Sequence, residues 1–267
     1  MSQVATGQWA PGTPRRRVRI GTVEIDPVTL AEAIDFIESL VDAGEGGSVF
    51  TPNVDHLVLA EANPRLREAY ARTSLSLVDG MPVLWASRLL GDPLPERVSG
   101  SDLVLPLMQR AGARGWKVYL LGGQPGAAVE AAEILKVQYG VRVVGTEDGM
   151  ILPDQPEAPE QKAVLERIRA AHPDLLLVGL GTPKQEIWIA QNARHFGSAV
   201  AIVVGASLDF IAGKVPRAPR WMSRAGLEWS YRLSREPRRL WRRYLVRDPK
   251  FLFILARDWR TRRKQSR

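Results

Sequence analysis

The chain has 267 residues, a formal net charge of +8, three histidines and no cysteine. The lack of cysteine excludes disulfides and thiolate chemistry, and three scattered histidines disfavour a histidine-based metal site. The length suits one large α/β domain, or one domain with an appendage, and the 45% apolar content is ordinary for a folded core.

The positive charge is concentrated in the last fifth of the chain. Residues 214–267 hold 18 Lys and Arg against 4 Asp and Glu, whereas the remaining residues carry a net charge of −6. The longest apolar run in this region, 251–256, is far shorter than the ~18 residues of a membrane-spanning helix. We therefore predict a flexible leader at 1–17, an α/β core at 18–213 and a basic, Trp-rich helical appendage at 214–267.

Short apolar runs alternate with helical patterns through the core. In chain order, we predict a strand at 18–26, a helix at 27–42, a strand at 48–51, a helix at 55–71 interrupted near Pro64, a strand at 75–79, a helix at 81–90, a helix capped by Ser101 or Asp102, a strand at 117–121, a helix at 125–139, a strand at 141–145, a Pro-rich loop at 151–161, a helix at 160–171, a strand at 174–179, a helix at 183–196, a strand at 199–205 and a short helix at 206–212. Basic helices follow at 220–233 and 238–264, with breaks at Pro237 and Pro249.

This alternation predicts an α/β fold with a mostly parallel sheet and helices on both faces, followed by the basic helical appendage. Ligands of such sheets bind beyond the carboxyl ends of the strands. The polar and glycine residues predicted at those ends are Thr51, Asn53, Asp79, Gly122, Gly123 and the segment 181–186.

Asp79 ends the predicted strand at 75–79 and precedes a glycine. A carboxylate delivered to the edge of a pocket in this way can accept a proton from a hydroxyl group. A helix N-cap or turn aspartate fits the same pattern. The position alone therefore leaves both interpretations open.

Two glycine-rich segments, 121–126 and 179–186, lead into predicted helices. Backbone amides at helix N-termini favour phosphate. Neither segment has the spacing of a dinucleotide-binding or P-loop fingerprint, and each alone also fits a structural turn. Lys184 can add positive charge there, and the candidate substrate-binding residues in these segments are Gly123, Gly181, Lys184, Gln185 and Glu186.

The aromatic residues among the basic residues of 214–267 allow three interpretations. In a membrane-surface arm, the tryptophans would lie at the level of the lipid headgroups and the cations would bind anionic lipid. A nucleic-acid-binding arm would use the same cations for phosphate, and helices packed on the core with solvated arginines are the third interpretation. The aliphatic and aromatic density around Phe251, Leu252 and Phe253 favours the membrane over nucleic acid.

Eight segments, in order, together resemble one family, the WecG/TagA/CpsF glycosyltransferases (glycosyltransferase family 26). They are 51–57 (TPNVDHL), 78–82 (VDGMP), 97–102 (RVSGSD), 179–186 (GLGTPKQE), 205–213 (GASLDFIAG), 217–222 (RAPRWM), 226–229 (GLEW) and 236–244 (EPRRLWRRY). The resemblance covers about residues 18–255. It departs from the family pattern at Pro82, where many members carry glycine.

The resemblance implies a Rossmann-like core and an inverting glycosyltransferase that needs neither a metal ion nor a cofactor. Such an enzyme moves N-acetylmannosamine, or its uronate, from a UDP donor to a polyprenyl-diphosphate-linked N-acetylglucosamine, for bacterial cell-surface polysaccharide or teichoic acid. It implies a peripheral protein on the cytoplasmic face of the cell membrane, docked on anionic lipid by the appendage. It also implies that homo-oligomers can form and stay inactive until the appendage rearranges.

Residue roles follow from the same resemblance. Asp79 is implied as the general base, with Thr51 beside it to orient the sugar or the acceptor. The implied donor contacts are Asn53, Arg97, Gln185 and Asp209. The implied contacts to the lipid diphosphate or the leaving group are Arg232, Arg239 and Arg242.

Nucleotide-sugar enzymes that use a metal ion commonly show an Asp-x-Asp pair, and this chain has none. The negative charge that develops on the leaving group must therefore be stabilised without that pair. We therefore expect Arg, Lys and backbone amides to stabilise it. Arg97 can hold a diphosphate oxygen, although a surface ion pair is the simpler explanation for this residue in isolation.

Other hypotheses remain beside this one. A UDP-glucose or UDP-N-acetylmannosaminuronate transferase of the same family fits the same segments. A nucleic-acid-binding protein would use the basic arm and would bind DNA with a steep salt dependence, although we expect no nucleic acid partner. A nicotinamide-dependent oxidoreductase is disfavoured because no Gly-x-Gly-x-x-Gly follows the first strand.

Overall fold

A six-stranded sheet covered by helices on both faces forms the centre of the protein. The computed structural model describes residues 16–148 and 158–265. The strands are β1 (Val18–Ile20), β2 (Val23–Ile25), β3 (Gly47–Phe50), β4 (Leu75–Ser76), β5 (Lys117–Gly122), β6 (Arg142–Glu147), β7 (Leu175–Gly179) and β8 (Val200–Val203). The helices are α1 (Leu30–Ala43), α2 (Val54–Ala62), α3 (Pro64–Arg72), α4 (Met81–Leu89), α5 (Gly100–Arg114), α6 (Ala127–Tyr139), α7 (Pro159–Ala171), α8 (Lys184–Asn192), α9 (Ser207–Ile211), α10 (Arg220–Arg224), α11 (Glu228–Arg235), α12 (Pro237–Trp241) and α13 (Phe251–Gln265). The remaining helical segments are two 3-10 turns, Ala193–His195 and Asp248–Lys250, and a π-helical segment, Arg242–Arg247.

The strand order of the central sheet is β4-β3-β8-β7-β5-β6, and every neighbouring pair is parallel. Side chains of a strand alternate between the two faces, so Leu175 and Leu177 pack on one side while Leu176 and Val178 pack on the other. Both faces are buried under helices, as continuous apolar strands require. The predicted α/β fold is confirmed.

The first predicted strand, 18–26, is wrong because the chain turns back within it. β1 and β2 pair antiparallel as a hairpin outside the main sheet, and Gly21 forms the turn with a positive φ of 61°. The apolar alternation of Val18 and Ile20 resumes one residue out of phase at Val23. That break in the period of two is the local signal of a turn.

Two predicted element boundaries also change. Helix α5 begins after Ser99, whose hydroxyl accepts a hydrogen bond from the backbone N–H of Asp102 at 3.2 Å, so the cap is neither Ser101 nor Asp102. Strand β4 stops at Ser76, although Asp79 still donates its backbone N–H to Pro52 at 2.9 Å. The extended segment from Leu77 to Asp79 therefore continues beside the chain that leaves β3.

Parts of two predicted segments lie outside the described residues. Of the leader, only the last two residues are described, and 149–157 contains most of the predicted Pro-rich loop. The end of that predicted loop, from Pro159, belongs to helix α7 and not to a loop.

The chain after residue 213 forms several short helices and one longer one. The predicted helix at 220–233 is wrong, because Gly226, with a φ of 72°, separates α10 from α11. Pro237 starts α12, where proline is tolerated, and Pro249 lies in a 3-10 turn that connects directly to α13 without ending the helical path. No helix in the described ranges combines the length and apolar character needed to cross a bilayer.

Helix α13 packs on the core. Phe251 and Ile254 are buried in the same apolar cluster as Leu57 of α2 and the residues of the β1–β2 hairpin. Arg257 forms a two-point ion pair with Glu61 at 2.8 and 2.9 Å, and Arg262 pairs with Asp92. Some of the basic charge of the appendage therefore faces acidic groups of the core, and the division at 213 stays a prediction.

Candidate active site

Two adjacent cavities lie beyond the carboxyl ends of the strands, between the core and the appendage. The larger, about 630 Å³, is lined mainly by polar groups, and we call it the polar cavity. The smaller, about 320 Å³, is lined mainly by apolar groups from α4, α11 and the start of α13, and we call it the apolar groove. The residues that line both are Asn53, Asp79, Glu228, Arg232 and Arg243.

Asp79 lies at the junction of the two cavities. Burial is the main cause that raises the pKa of Asp79 above its ordinary value, and the nearby Glu228 carboxylate raises it further. Arg97 and a hydrogen bond from Asn53 act in the opposite direction without cancelling the shift. A carboxylate with a raised pKa that faces a cavity is a stronger proton acceptor than an ordinary aspartate.

Thr51 and Asn53 follow β3 into the polar cavity. Asn53 is the N-cap of α2, and its Oδ1 accepts the backbone N–H of Asp55 at 3.1 Å. Its amide nitrogen donates to Asp79 Oδ2 at 3.4 Å. The capping preference of asparagine thus places an amide donor beside the candidate base.

The glycine turns after β5 and β7 form the floor of the polar cavity, where Gly123 and Gly181 are lining residues. A Cβ atom on Gly122 would lie 2.4 Å from the carbonyl oxygen of Gly179, so the two turns approach too closely for any side chain. Asp209 lines the same cavity and accepts the backbone N–H of Gln124 at 2.7 Å. Asp209 therefore holds the first turn in place as well as facing the cavity.

Only one of three consecutive candidates on α8 lines the cavity. Gln185 does, whereas Lys184 is exposed outside both cavities and Glu186 is completely buried behind them. Successive helical residues point about 100° apart, so three neighbours cannot all face one cavity. The structure thus does not bring Lys184 and Glu186 into contact with a substrate in either cavity.

Arg97 lines the apolar groove and not the polar cavity. Its guanidinium lies 2.6 Å from Asp102 and 3.6 Å from Glu228, which in turn accepts a hydrogen bond from Ser223. Arg97 therefore joins the start of α5 to the appendage beside Asp79. Arg97 forms an ion pair, but the predicted surface location is wrong, because only 14% of its side chain is exposed and it lies at the site.

The arginines of the appendage divide between the cavities and the outer surface. Arg232 lines both cavities, and Arg239 lines the polar cavity. Arg242 lies outside both and stacks over Trp241 at 5.4 Å, whereas Arg243 faces inward. The π-helical segment that starts at Arg242 has a wider turn than an α-helix, which alters the angular position of the residues that follow.

An ion cluster holds the appendage over the polar cavity. Asp55, buried at the start of α2, lies 3.2 Å from Arg243 and 2.5 Å from Arg247. Arg243 also donates to Asn53 Oδ1 at 3.2 Å and lies 3.8 Å from Asp248. Burial raises the pKa of Asp248 to about 6 despite these cations. Sequence reasoning missed Glu228, Arg243, Arg247 and His56 as residues that line the site.

Among the residues that the structure describes, no three His, Asp or Glu side chains gather where they could hold a metal ion.

Two comparisons with known proteins identify the family of this chain. The sequence model of the Glycosyl transferase WecG/TagA/CpsF family matches residues 18–265. A Bacillus spizizenii protein named N-acetylglucosaminyldiphosphoundecaprenol N-acetyl-beta-D-mannosaminyltransferase is 32% identical over 239 residues, which cover 88% of this chain and 90% of that protein. The match includes the sheet, both cavities and nearly all of the appendage. The chain therefore belongs to the WecG/TagA/CpsF family of glycosyltransferases.

Proposed function

We propose that the protein transfers N-acetylmannosamine from a UDP donor to a polyprenyl-diphosphate-linked N-acetylglucosamine, in the synthesis of a bacterial cell-surface polysaccharide or teichoic acid. The name of the Bacillus spizizenii relative supports the sugar and the acceptor. The observation that carries the proposal is the position of Asp79 where a polar cavity and an apolar groove meet.

The polar cavity suits the nucleotide-sugar donor. Arg232, Arg239 and Arg243 line it from the appendage, and the glycine turns supply backbone amides from the core. Arginine is well suited to diphosphate because its planar guanidinium can form two parallel hydrogen bonds. A donor in this cavity would have its anionic end between two sets of hydrogen-bond donors.

The apolar groove suits the lipid-linked acceptor. Met81, Trp229, Tyr244, Leu245 and Leu252 line it. Leu245 and Leu252 are also exposed on the outer surface, so the groove leads from Asp79 to the apolar outside of the appendage. A polyprenyl chain that leaves along this route would keep its apolar surface away from water.

The chemical step is a single displacement. The acceptor hydroxyl attacks the anomeric carbon as the bond to the β-phosphate oxygen of UDP breaks, and Asp79 takes the hydroxyl proton. The leaving oxygen departs with the bonding electron pair, and arginines of the appendage stabilise the charge that develops on the diphosphate. Attack opposite the leaving group inverts the anomeric configuration.

We place the protein peripherally on the cytoplasmic face of the cell membrane. The outer surface of the appendage carries exposed apolar side chains interleaved with arginines, and these are Trp241, Leu245, Val246, Leu252 and Phe253. Apolar side chains beside cations are the composition that binds a membrane interface. The homo-oligomeric state stays a prediction.

Replacing both Leu252 and Phe253 by glutamine is expected to weaken binding to anionic vesicles about a hundredfold or more. The two side chains are 67% and 77% exposed, so their loss costs the fold little. Each apolar side chain that enters the interface contributes about 1.5–3 kcal/mol. The measurement is flotation with vesicles that contain phosphatidylglycerol. The matched control is Val129→Gln with Val137→Gln, which removes two exposed apolar side chains from α6; equal flotation of both double variants would contradict this placement.

A panel of donors tests the proposed reaction. The full-length protein is incubated with a short-chain lipid-diphosphate N-acetylglucosamine and, separately, UDP-N-acetylmannosamine, UDP-N-acetylmannosaminuronate and UDP-glucose. We expect a disaccharide product and release of UDP with the first donor. Turnover only with one of the other two would replace the sugar in the proposal, and the absence of transfer from every donor would contradict the function.

A further inference from the structure

A carboxylate with no exposed surface lies behind the wall of the polar cavity. The side chain of Glu186 is 0% exposed, and His56 Nε2 lies 3.3 Å from its Oε1 atom. The same oxygen accepts hydrogen bonds from Gln185 Nε2 at 2.8 Å and Thr182 Oγ1 at 3.3 Å. Burial works to raise the pKa of Glu186, but the interactions with His56 and Gln185 outweigh it and lower the pKa overall. Oε1 of the ionised Glu186 is therefore shared by three neighbours, whereas Oε2 has no hydrogen-bond partner among the described residues.

His56 connects this carboxylate to the start of α2. Its Nδ1 atom accepts the backbone N–H of Asn53 at 2.9 Å, so the ring proton is on Nε2, which faces Thr182 and Glu186. In a capping box, this third helical position usually holds Glu or Gln. The cap of α2 needs only the contact between the Asn53 backbone N–H and Nδ1. Because imidazole has a second ring nitrogen, His56 also contacts Thr182 and Glu186.

The orientation of the Asn53 amide follows from its contacts. Its Oδ1 accepts from the Asp55 backbone N–H at 3.1 Å and from Arg243 at 3.2 Å. The amide nitrogen is therefore the atom that faces Asp79 Oδ2, at 3.4 Å. His56 fixes the backbone from which this side chain extends.

The orientation of the Gln185 amide also follows from Glu186. Because Gln185 Nε2 donates to that carboxylate, the amide oxygen is left for other partners. Gln185 lines the polar cavity, and its Oε1 has no hydrogen-bond partner among the described residues. A buried acceptor without a partner is costly, and an N–H or O–H group of a bound donor substrate can satisfy it.

We propose that Glu186 and His56 are positioning residues for glycosyl transfer, which together fix the Asn53 amide that contacts Asp79 and the Gln185 amide that lines the donor cavity. Glu186 lies outside both cavities, and the two ring nitrogens of His56 face Asn53 on one side and Thr182 and Glu186 on the other, so the pair acts through other residues. The pair links the segment after β3, which carries Asn53, to the segment after β7, which leads into Gln185. This inference rests on the proposed function, because it needs a transfer reaction in which Asp79 accepts the proton.

Three variants at the pair test the proposal, with His195→Gln on the exposed 3-10 turn as the matched control. His56→Leu is expected to lower kcat about 10- to 100-fold, because it removes an interaction network that ends on a charged acceptor. His56→Gln is expected to stay within about threefold of wild type, since an amide carries one acceptor and one donor, as the neutral ring does. Glu186→Gln is expected to raise KM for the UDP-sugar and to lower kcat, because a neutral amide is a weaker acceptor for Gln185 Nε2 and can also offer it an N–H donor, so the Gln185 amide is no longer held in one orientation.

The pH dependence of kcat distinguishes positioning from a merely structural role. The hydrogen bond from Asn53 favours the ionised form of Asp79. His56 itself also favours the ionised form of Asp79, so His56→Leu loses both interactions, the pKa of Asp79 rises, and the acidic limb of the profile moves to higher pH. His56→Gln loses only the direct effect of the ring and keeps the hydrogen bond from Asn53, so a limb closer to wild type in that variant assigns the remaining shift in His56→Leu to the position of Asn53. The charged and titratable groups that surround Asp79 are Glu228, Arg232, Arg97, Arg243, His56 and Tyr70. Glu186→Gln and His195→Gln keep all of them, and the two variants at His56 lose only the imidazole.

Melting temperatures of all variants, measured alongside the kinetics, distinguish a positioning role from a loss of stability. A lowered kcat with a shifted limb in His56→Leu, recovery in His56→Gln and a raised donor KM in Glu186→Gln support the proposal. Variants at the pair that lose melting temperature but keep the wild-type kcat, KM and pH limb would overturn it, as would a His56→Gln protein as impaired as His56→Leu. Failure of the wild-type protein to transfer any sugar is a different result, and it counts against the proposed function.

Discussion

Asp79→Asn is expected to lower kcat for glycosyl transfer by about 10²–10⁴-fold, the usual contribution of a positioned general base. Asparagine keeps the size of the side chain and can still contact Asn53, so the fold and the polar cavity should persist. Asparagine cannot accept the proton of the acceptor hydroxyl. The position of Asp79 where the two cavities meet supports this proton transfer as its role.

The measurement is steady-state turnover with the lipid acceptor, together with UDP binding by calorimetry. Asp42→Asn is the matched control, because Asp42 is an exposed acid on α1 that pairs with Arg114 and lines neither cavity. We expect Asp79→Asn to bind UDP like wild type. A turnover close to that of Asp42→Asn would show that another group, or none, removes the proton.

Arg232→Ala is expected to lower kcat by about 10²–10³-fold, the usual effect of removing one donor to a charge that develops in the transition state. Arg232 lines both cavities from α11 and so lies where the anionic leaving group and the acceptor would meet. Its loss should affect kcat more than the affinity for the intact donor, because the negative charge on the leaving oxygen develops during the reaction.

Arg235→Ala provides the control for this variant. Arg235 is one turn further along the same helix, lies outside both cavities and stacks over Tyr231 at 5.6 Å. The two variants remove the same charge from the same helix, so the difference between their kcat values reports the effect of position and not of net charge. Equal kcat values for the two proteins would contradict the assignment of Arg232 to the leaving group.

The sheet and its helices could be predicted from the sequence because apolar periodicity reports burial directly. Residues of β7 are apolar on both faces, and both faces are buried. The β1–β2 hairpin was missed because a run of nine residues was given one period, although the phase changes between Ile20 and Val23. The predicted strand ends indicated that Asp79 and Asn53 share one edge of the sheet, since parallel strands deliver their ends to one edge, and a hydrogen bond of 3.4 Å joins the two side chains.

The side chains that complete the site were harder to predict. The π-helical segment brings Arg243 into contact with Asn53 and leaves Arg242 outside, and no local sequence signal marks such a segment. Glu186 follows Gln185 directly but points away from the cavity. His56 contacts Thr182, which is 126 positions away in the sequence. Only the fold brings the two residues together, so the sequence alone does not indicate the positioning role that we propose for His56.

The appendage completes the site through several independent contacts with the core. Arg243 and Arg247 meet Asp55, Arg97 meets Glu228, and Arg217 pairs with Asp102. Because Glu228 raises the pKa of Asp79, the appendage also affects the strength of the base. Displacement of the appendage would remove both the arginines for the diphosphate and this carboxylate from the cavity.

The role of Asp79 as general base is tested most directly by the pH dependence of kcat/KM for the wild-type protein and for Asp79→Asn. Asp248→Asn is measured beside them, because Asp248 has a raised pKa of about 6 and also lines the apolar groove. The base must be ionised to act, so wild-type activity should fall as the pH drops through a pKa above that of an ordinary aspartate. We expect this limb to persist in Asp248→Asn and to be absent from the residual activity of Asp79→Asn. An unchanged limb in Asp79→Asn would contradict the role of Asp79 as the general base.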